Sequence, residues 1–238
     1  MAEPLIDGHE LYRFYHIGDD ETFALRGVSV SVRAGELVAV VGPSGSGKST
    51  RLACLAGLDE PDGGHVVIAG KRLTRRDEPT RAGLRARWIG MLMQSGNLLE
   101  HLTVAQNIQA AQALAARARR RGSGSEAGRD HNAANRLDPH ELLAGVGLAE
   151  RASVRPSTLS GGEAARAGLA VAIANDPPVL LADEPTGEVD RQTEIGVLDL
   201  LRRRADRGKA VLVVTHSETV AASADRVVRM VDGKIAGE

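Results

Sequence analysis

The chain has 238 residues, of which 42% are hydrophobic and 26% are charged, and its formal net charge is -1. This size and composition fit one large globular domain, and the near-neutral charge excludes a general attraction to nucleic acid or anionic lipid. A single cysteine excludes a disulfide scaffold and fits a reducing compartment. No apolar run approaches the roughly 20 residues of a membrane span, and no signal peptide is expected at the N-terminus. We therefore expect a soluble, cytoplasmic protein.

Three strands are predicted in the first part of the chain, at residues 9–15, 23–32 and 36–41. The first of them carries three of the five aromatic residues of the protein, Tyr12, Phe14 and Tyr15. An aromatic ring offers a flat face on which a nucleotide base can stack. The residues alone leave two readings open, in which one ring stacks on a base or all three pack at a strand edge.

A phosphate-binding loop follows the third strand. Residues 42–50 match the pattern G-x-x-x-x-G-K-[ST], between an apolar strand and a helix predicted at 48–56. The glycines let backbone N–H groups form an anion nest, and the helix N-terminus adds partial positive charge. We expect Lys48 to reach the β- and γ-phosphates and the Ser49 hydroxyl to hold Mg²⁺. The predicted nucleotide-binding residues of the loop are Gly42, Ser44, Gly45, Ser46, Gly47, Lys48, Ser49 and Thr50.

The middle of the chain changes from strands to helices. Strands are predicted at 65–69 and at 88–93, the second ending in Gln94, with a solvated helix or loop at 74–87. Further helices are predicted at 103–118 and 139–146. These patterns indicate a mostly helical insertion in an α/β domain.

Residues 117–135 form the single low-complexity segment, which is basic and rich in Gly and Ser. This composition is typical of a mobile, solvated loop. A basic patch that contacts phosphate or lipid is the functional alternative.

Two later strands end in residues that can carry chemistry. The apolar strand at 179–184 ends in Asp183 and Glu184. An Asp at the carboxyl end of a parallel strand faces the ligand crevice, and in P-loop enzymes it helps to hold Mg²⁺. Glu184 is placed to orient or deprotonate an attacking water. The strand at 210–215 precedes His216, a candidate contact to the γ-phosphate.

A short segment 20 residues before the strand at 179 resembles the signature motif of ABC-type ATPases, and it consists of Leu159, Ser160, Gly161, Gly162 and Glu163. Other motifs follow the order of that family. Gln94 resembles the Q-loop glutamine, Asp190 lies in a D-loop-like segment and His216 resembles the switch histidine. Residues 13–15 resemble the adenine-stacking loop, with Tyr15 as the stacking residue. The resemblance extends over residues 9–236.

The resemblance implies an α/β P-loop NTPase with a parallel-sheet core, an N-terminal antiparallel β-subdomain and an inserted α-helical subdomain. The expected single domain, 1–238, divides into a core at about 1–96 and 176–238 and a helical part at about 97–175. Implied ligands are ATP and Mg²⁺. The implied partner is a second copy, head-to-tail, whose nucleotide is met by the backbone N–H groups of Ser160 to Gly162.

The family pattern also implies a role for each site residue. The catalytic set is Glu184, His216, Lys48 and Gln94, and the Mg²⁺ set is Ser49, Gln94 and Asp183. Asp190 is expected to communicate across the dimer interface. The sequence departs from the pattern at Arg51, Met93, Ala164, Ala165, Val171 and Glu188–Val189, and Glu163 replaces a commoner Gln.

Details of the motifs are similar to those of the lipoprotein-releasing and macrolide-exporting group. This similarity implies a transmembrane permease partner, an export or lipid-side extraction function, and a location at the inner face of the cell membrane. An ATPase that regulates a membrane partner without transport, as in division-associated relatives, is the alternative. A nucleic-acid-linked ATPase is disfavoured, because such proteins usually carry two ATPase domains, a long coiled coil or a zinc insertion. No direct contact with nucleic acid is expected.

Overall fold

The computed structural model describes residues 3–17, 20–121, 137–187 and 189–237. Most of the predicted Gly/Ser-rich loop, at 122–136, and the D-loop residue Glu188 lie outside the described residues. The strands of the described chain are β1 Pro4–Ile17, β2 Asp20–Arg33, β3 Leu37–Val41, β4 Gly63–Ile68, β5 Lys71–Arg72, β6 Ile89–Leu92, β7 Val179–Asp183, β8 Ala210–Val214, β9 Arg226–Val231 and β10 Lys234–Gly237. The α-helices are α1 Lys48–Leu55, α2 Glu78–Trp88, α3 Val104–Arg121, α4 Pro139–Gly145, α5 Gly161–Ile173, α6 Arg191–Asp206 and α7 Glu218–Ser223.

The larger sheet has the strand order β10-β9-β3-β8-β7-β6. Its strands from β9 to β6 pair in parallel, and β10 is antiparallel to β9. Strands buried on both faces are apolar throughout, which explains why their sequences do not alternate with polar residues. Leu180 and Ala182 point into one hydrophobic core, whereas Val179 and Leu181 point into the other. The sheet is therefore the central layer of the fold.

A second, antiparallel sheet has the order β2-β1-β4-β5 and packs on one side of the molecule. Its first strand spans 14 residues, so the prediction of a short strand at 9–15 was wrong. The strand is long because it pairs along one edge with β2 and along the other with β4. Asp7, for example, lies opposite Ser31 on one side and Val67 on the other.

Helix α2 accounts for the charged segment that the sequence left as helix or loop. Trp88 ends this helix and does not begin a strand, because only Ile89–Leu92 pairs with β7. Helix α3 runs three residues past its predicted end, to Arg121. Among the residues that the structure describes, no helix is both long and apolar enough to cross a membrane.

Candidate nucleotide site

Four neighbouring parallel strands bring the predicted chemical groups to one edge of the sheet. The strands lie in the order β3, β8, β7, β6. Their carboxyl ends lead into the phosphate loop, His216, the Asp183–Glu184 pair and Gln94, respectively. The predicted residues that line one open cleft of about 960 Å³ there are Tyr15, Ser44, Gly45, Gly47, Lys48, Ser49, Thr50, Gln94, Gly161, Asp183, Glu184 and His216.

The phosphate loop is held tightly between the two sheets, and two of its glycines are required for this. A Cβ atom on Gly42 would lie 2.1 Å from the carbonyl oxygen of Met230 on β9. A Cβ on Gly47 would lie 2.2 Å from the carbonyl oxygen of Ala24 on β2. Both glycines also have positive φ, at 157° and 94°, which disfavours other residues. Ser46 is buried beneath the loop, with 2% of its surface exposed.

Lys48 turns its side chain back over this loop. Its Nζ donates to the carbonyl oxygens of Gly42 at 2.7 Å and Pro43 at 2.8 Å. Burial lowers the pKa of Lys48, while the negative charges of Glu184 and Asp183 act in the opposite direction. The ammonium group is therefore a desolvated cation inside the cleft, where an anion gains more from it than in water.

Glu184 and His216 are brought together by adjacent strands, since Asp183 on β7 lies opposite Val214 on β8. The Glu184 Oε1 atom lies 3.4 Å from His216 Nε2, and the backbone N–H of His216 donates to Glu184 Oε2 at 3.3 Å. Glu184 has a φ of 49°, a left-handed conformation that costs a non-glycine residue about 1–2 kcal/mol. Such strained residues cluster at functional sites.

The three predicted Mg²⁺ residues share the cleft. Ser49, Gln94 and Asp183 all line it, and Asp183 is buried, with 5% of its surface exposed. Hydroxyl, amide and carboxylate oxygens are the hard ligands that Mg²⁺ prefers. No group of three or more His, Cys, Asp or Glu side chains among the described residues could hold a metal by itself. The donor set therefore fits an ion that is also held by substrate phosphates and water.

Gln94 lies in an exposed turn. Asn97, a residue that the sequence did not single out, stabilises this turn. The Asn97 side chain accepts from Met93 N–H at 2.7 Å and donates to the Met93 carbonyl at 2.6 Å. Met93 itself, one of the departures from the family pattern, is 40% exposed. The departure at Arg51 does not disrupt helix α1, in which this residue is fully buried.

The signature segment forms the N-terminus of α5 with a reciprocal cap. Ser160 Oγ accepts from Glu163 N–H at 3.2 Å, and Glu163 Oε2 accepts from Ser160 N–H at 2.9 Å. In this structure the Ser160 N–H, one of the three signature N–H groups expected to meet a nucleotide, donates to the Glu163 carboxylate. The N–H groups of Gly161 and Gly162, in the first turn, remain candidates.

Arg151, a residue that the sequence did not single out, forms an ion pair with the signature segment. Its Nε lies 2.9 Å from Glu163 Oε1. The backbone N–H of Ser160 and then the Arg151 guanidinium hold the pKa of Glu163 below its ordinary value. The negative charge that Glu163 places at the signature is thus paired within the same subunit.

Asp190 caps the next helix, α6. Its Oδ1 accepts from the backbone N–H groups of Gln192 and Thr193, both at 3.0 Å. The Thr193 hydroxyl donates to Asp190 Oδ2 at 2.6 Å and accepts from Arg166 on α5 at 2.9 Å. These bonds link the D-loop-like segment to the helix that the signature begins.

Only one of the three clustered aromatic residues, Tyr15, lies in the described lining of the cleft. Tyr12 instead contacts Gly63, and Phe14 meets Phe23 edge-on with ring centres 5.5 Å apart. This arrangement favours the interpretation in which one ring stacks on the base over the one in which all three rings pack at a strand edge. Arg13 and Asp59 surround Tyr15, and the sequence analysis did not predict these contacts. The spacing of Arg13 and Tyr15 could have indicated one of them, since residues two apart on a strand share a face.

The fold and the cleft together define a P-loop nucleotide-binding protein, and comparisons specify its family. The sequence profile of the family described as ABC transporter matches residues 25–187. A macrolide export ATP-binding/permease protein, MacB, of Hyphomonas neptunium is 38% identical over 99% of this chain and 34% of that protein. An uncharacterized ABC transporter ATP-binding protein of Thermotoga maritima is 40% identical over 96% of this chain and 92% of that protein.

Solved structures agree with these relatives. A dimeric structure of the ATP-binding cassette MJ0796, in a post-hydrolysis state bound to ADP and Pi, superimposes with a TM-score of 0.85 at 32% identity, covering 98% of this chain and 97% of that chain. The chain therefore belongs to the ABC transporter family and is an ATP-binding cassette. It spans about a third of the length of the macrolide export relatives.

Proposed function

We propose that two copies of this chain bind Mg-ATP between them, head-to-tail, and hydrolyse it to drive a membrane permease. The observation that carries the proposal is the convergence of Lys48, Asp183, Glu184 and His216 on one cleft. The relative solved as a dimer with ADP and Pi supports both the assembly and the reaction. The macrolide export ATP-binding/permease relatives support the permease partner and an export-type function.

The phosphates are bound by the loop amides of Ser44 to Ser49 and by the Lys48 ammonium group. ATP binding must displace Lys48 from the Gly42 and Pro43 carbonyls, which it reaches in this structure. Mg²⁺, when bound, would neutralise charge on the phosphate oxygens, with Ser49, Asp183 and Gln94 as its protein ligands. Tyr15 takes the adenine.

Hydrolysis then depends on Glu184 and His216. Glu184 accepts the proton of the attacking water, and its strained backbone fixes the carboxylate at the end of β7. His216 contacts the γ-phosphate and orients the Glu184 carboxylate, which it already meets at 3.4 Å. Positioning and electrostatics provide the catalysis, and no covalent enzyme intermediate is needed.

The second copy contributes its signature segment. The Ser160 hydroxyl and the Gly161 and Gly162 N–H groups, at the positive end of α5, bind the nucleotide held by the partner's phosphate loop. Asp190 passes the state of one site to the other, because Thr193 and Arg166 tie it to the same helix. We also propose that the chain divides into a core, at about 1–96 and 176–238, and a helical part at about 97–175.

The permease is met at the inner face of the membrane, by the segment from Gln94 to about residue 118. Dimer closure moves this segment, and its exposed apolar side chains, Leu99 and Leu114, fit a protein contact. A membrane subunit that copurifies and changes ATP turnover would support this part of the proposal. Unchanged turnover with the copurified subunit would contradict it.

Glu184→Gln tests the proposed ATPase cycle. The variant keeps the shape of the side chain but cannot take a proton, so turnover should fall by about a hundredfold or more. ATP binding should persist, and ATP should trap a dimer that gel filtration detects. As a control, Lys48→Ala in the same background should give a monomer with ATP. Native turnover by Glu184→Gln would refute the assignment of the base.

A further inference from the structure

Tyr15 is held in place by neighbouring residues that have no assigned role in catalysis. Arg13 and Tyr15 lie two residues apart on β1, so their side chains leave the same face of the strand. The Arg13 guanidinium carbon lies 4.7 Å from the centre of the Tyr15 ring. An arginine at this distance over an aromatic face makes a cation–π contact. The guanidinium thus covers one face of the ring, and Tyr15 also lines the cleft.

Two aspartates in the turn after α1 fix this pair. Arg13 Nη2 lies 2.8 Å from Asp59 Oδ1, and Arg13 Nη1 lies 3.1 Å from Asp62 Oδ2. The Tyr15 hydroxyl donates to Asp59 Oδ2 at 2.6 Å, and Arg13 Nε donates to the same oxygen at 3.0 Å. One carboxylate, that of Asp59, therefore holds both the ring and the cation that covers it.

Arg13 and Tyr15 each keep one charge state over the physiological range. Burial works against the charge of Arg13, but hydrogen bonds to Asp59, Tyr15 and Asp62 outweigh it and raise its pKa. Burial, followed by the hydrogen bond to Asp59, raises the pKa of Tyr15. Arg13 stays a cation and Tyr15 a neutral phenol, so the contact between them is not lost through titration of either group.

Helix α1 joins this cluster to the phosphate loop. Its N-terminus carries Lys48 and Ser49, and the turn that follows it positions Asp59 through a bond from Asp59 N–H to the Ala53 carbonyl, at 3.2 Å. A helix of eight residues has a length of about 12 Å. The distance between the phosphate nest and the Tyr15 ring is thereby set by a rigid element.

We propose that Arg13 and Asp59 are positioning residues that hold the Tyr15 ring for the base of the nucleotide. This inference rests on the proposed ATP binding and deepens it, since it names the residues that couple base recognition to phosphate recognition. Neither is among the described residues that line the cleft. Their loss should weaken binding of a ligand with a base and leave a bare triphosphate unaffected.

The experiment uses isothermal titration of the full chain with Mg-ATP and with Mg-tripolyphosphate, which has no base. Asp59→Asn and Arg13→Lys should each weaken ATP binding about three- to tenfold, a part of the stacking contribution of a base. Arg13→Lys should leave the tripolyphosphate affinity within about twofold, because it keeps the charge and loses only the planar fork. Asp59→Asn should not weaken tripolyphosphate binding, because it removes a negative charge and no phosphate contact. Arg87→Met is the matched control, since Arg87 lies 5.3 Å over Trp88, a ring outside the described lining of the cleft.

Asp59→Asn separates positioning from simple electrostatics. Removal of a negative charge beside the cleft would by itself strengthen anion binding, whereas loss of positioning weakens ATP binding. The variant should also lower the pH at which Tyr15 ionises, which ultraviolet absorbance detects in a chain with only two tyrosines. If Asp59→Asn does not fold, Arg13→Lys with the two ligands decides alone.

Three results would overturn the inference. They are equal losses for ATP and tripolyphosphate, unchanged ATP binding, and tighter ATP binding by either variant, which would mean that the guanidinium occupies the place of the base. A native chain that binds neither ligand would instead refute the proposed function itself. Failure of the inference and failure of the proposed function are therefore distinguishable.

Discussion

His216 and Glu184 lie on adjacent strand ends with their side chains 3.4 Å apart, and the His216 backbone N–H donates to the same carboxylate. Two separate regions of the sequence thus build one acid–base pair. We expect His216→Ala to lower kcat by about ten- to a hundredfold, because the γ-phosphate loses a contact and the Glu184 carboxylate loses its orientation. The KM for ATP should change little.

Steady-state ATPase assays check this prediction. His140→Ala is the matched control, since His140 is an exposed residue on α4, away from the described lining of the cleft. A raised KM with an unchanged kcat would show that His216 binds substrate without supporting the chemical step.

The buried cation of Lys48 predicts a dependence of ATP affinity on pH. Burial lowers its pKa from the ordinary lysine value of 10.5, and only the protonated form attracts phosphate. Affinity for Mg-ATP should therefore fall as the pH rises, and this fall should begin at a lower pH than the ordinary lysine value would give. Titration calorimetry of the native chain between pH 7 and about 10 measures this fall in affinity, the alkaline limb of the pH profile. In Lys48→Met, whose affinity is already reduced, the limb should be absent; an identical limb in that variant would assign it to another group.

The ion pair between Arg151 and Glu163 predicts non-additive mutations. Arg151→Ala leaves the Glu163 carboxylate uncompensated beside the phosphate of the partner site, so ATP-dependent dimerisation should weaken about two- to tenfold, the range for partly exposed charge pairs. Glu163→Gln keeps a side chain that can complete the reciprocal cap, because Gln serves as well as Glu at this position. The double variant should therefore dimerise close to the native level.

Gel filtration over a series of ATP concentrations, in the Glu184→Gln background, measures these affinities. A double-mutant cycle isolates the coupling of the two side chains. Strictly additive losses would show that Arg151 acts through some group other than Glu163.

Cys54 offers a test of the core that is independent of nucleotide. Burial raises the pKa of its thiol to about 12, and the residue lies on the fully buried face of α1. The native chain should not react with a thiol reagent at pH 8, because the thiolate is the nucleophile. The unfolded chain should react once, since Cys54 is the single cysteine. One fast equivalent in the native chain would contradict the burial.

The same shift has a consequence for stability. The unfolded thiol releases its proton near the ordinary value of 9.0, while the folded thiol keeps it up to about 12. The free energy of unfolding should therefore fall as the pH rises above 9.0 and stop falling from this cause near 12. In Cys54→Ala, denaturant unfolding should lose this part of the pH dependence.

The sequence by itself determined the chemistry of this protein and the order of its parts. The phosphate loop could be predicted from the sequence because short-range geometry imposes its glycine spacing. The close approaches of Gly42 and Gly47 to neighbouring backbone show this. The apolar strands before Asp183 and His216 could also be predicted, because a strand buried on both faces must be apolar throughout. The family motifs then predicted the three parts of the fold.

Only the tertiary structure decided which distant residues meet. Arg151 pairs with the Glu163 carboxylate, and Asp59 reaches Tyr15, 44 positions away. No local spacing rule predicts these contacts, because they depend on how helices and the second sheet pack on the strands. The length of β1 was underestimated for the same reason, since its bonding partners on β2 and β4 lie elsewhere in the chain. A motif specifies which group is present; the packing of separate elements fixes the donors and charges that surround it.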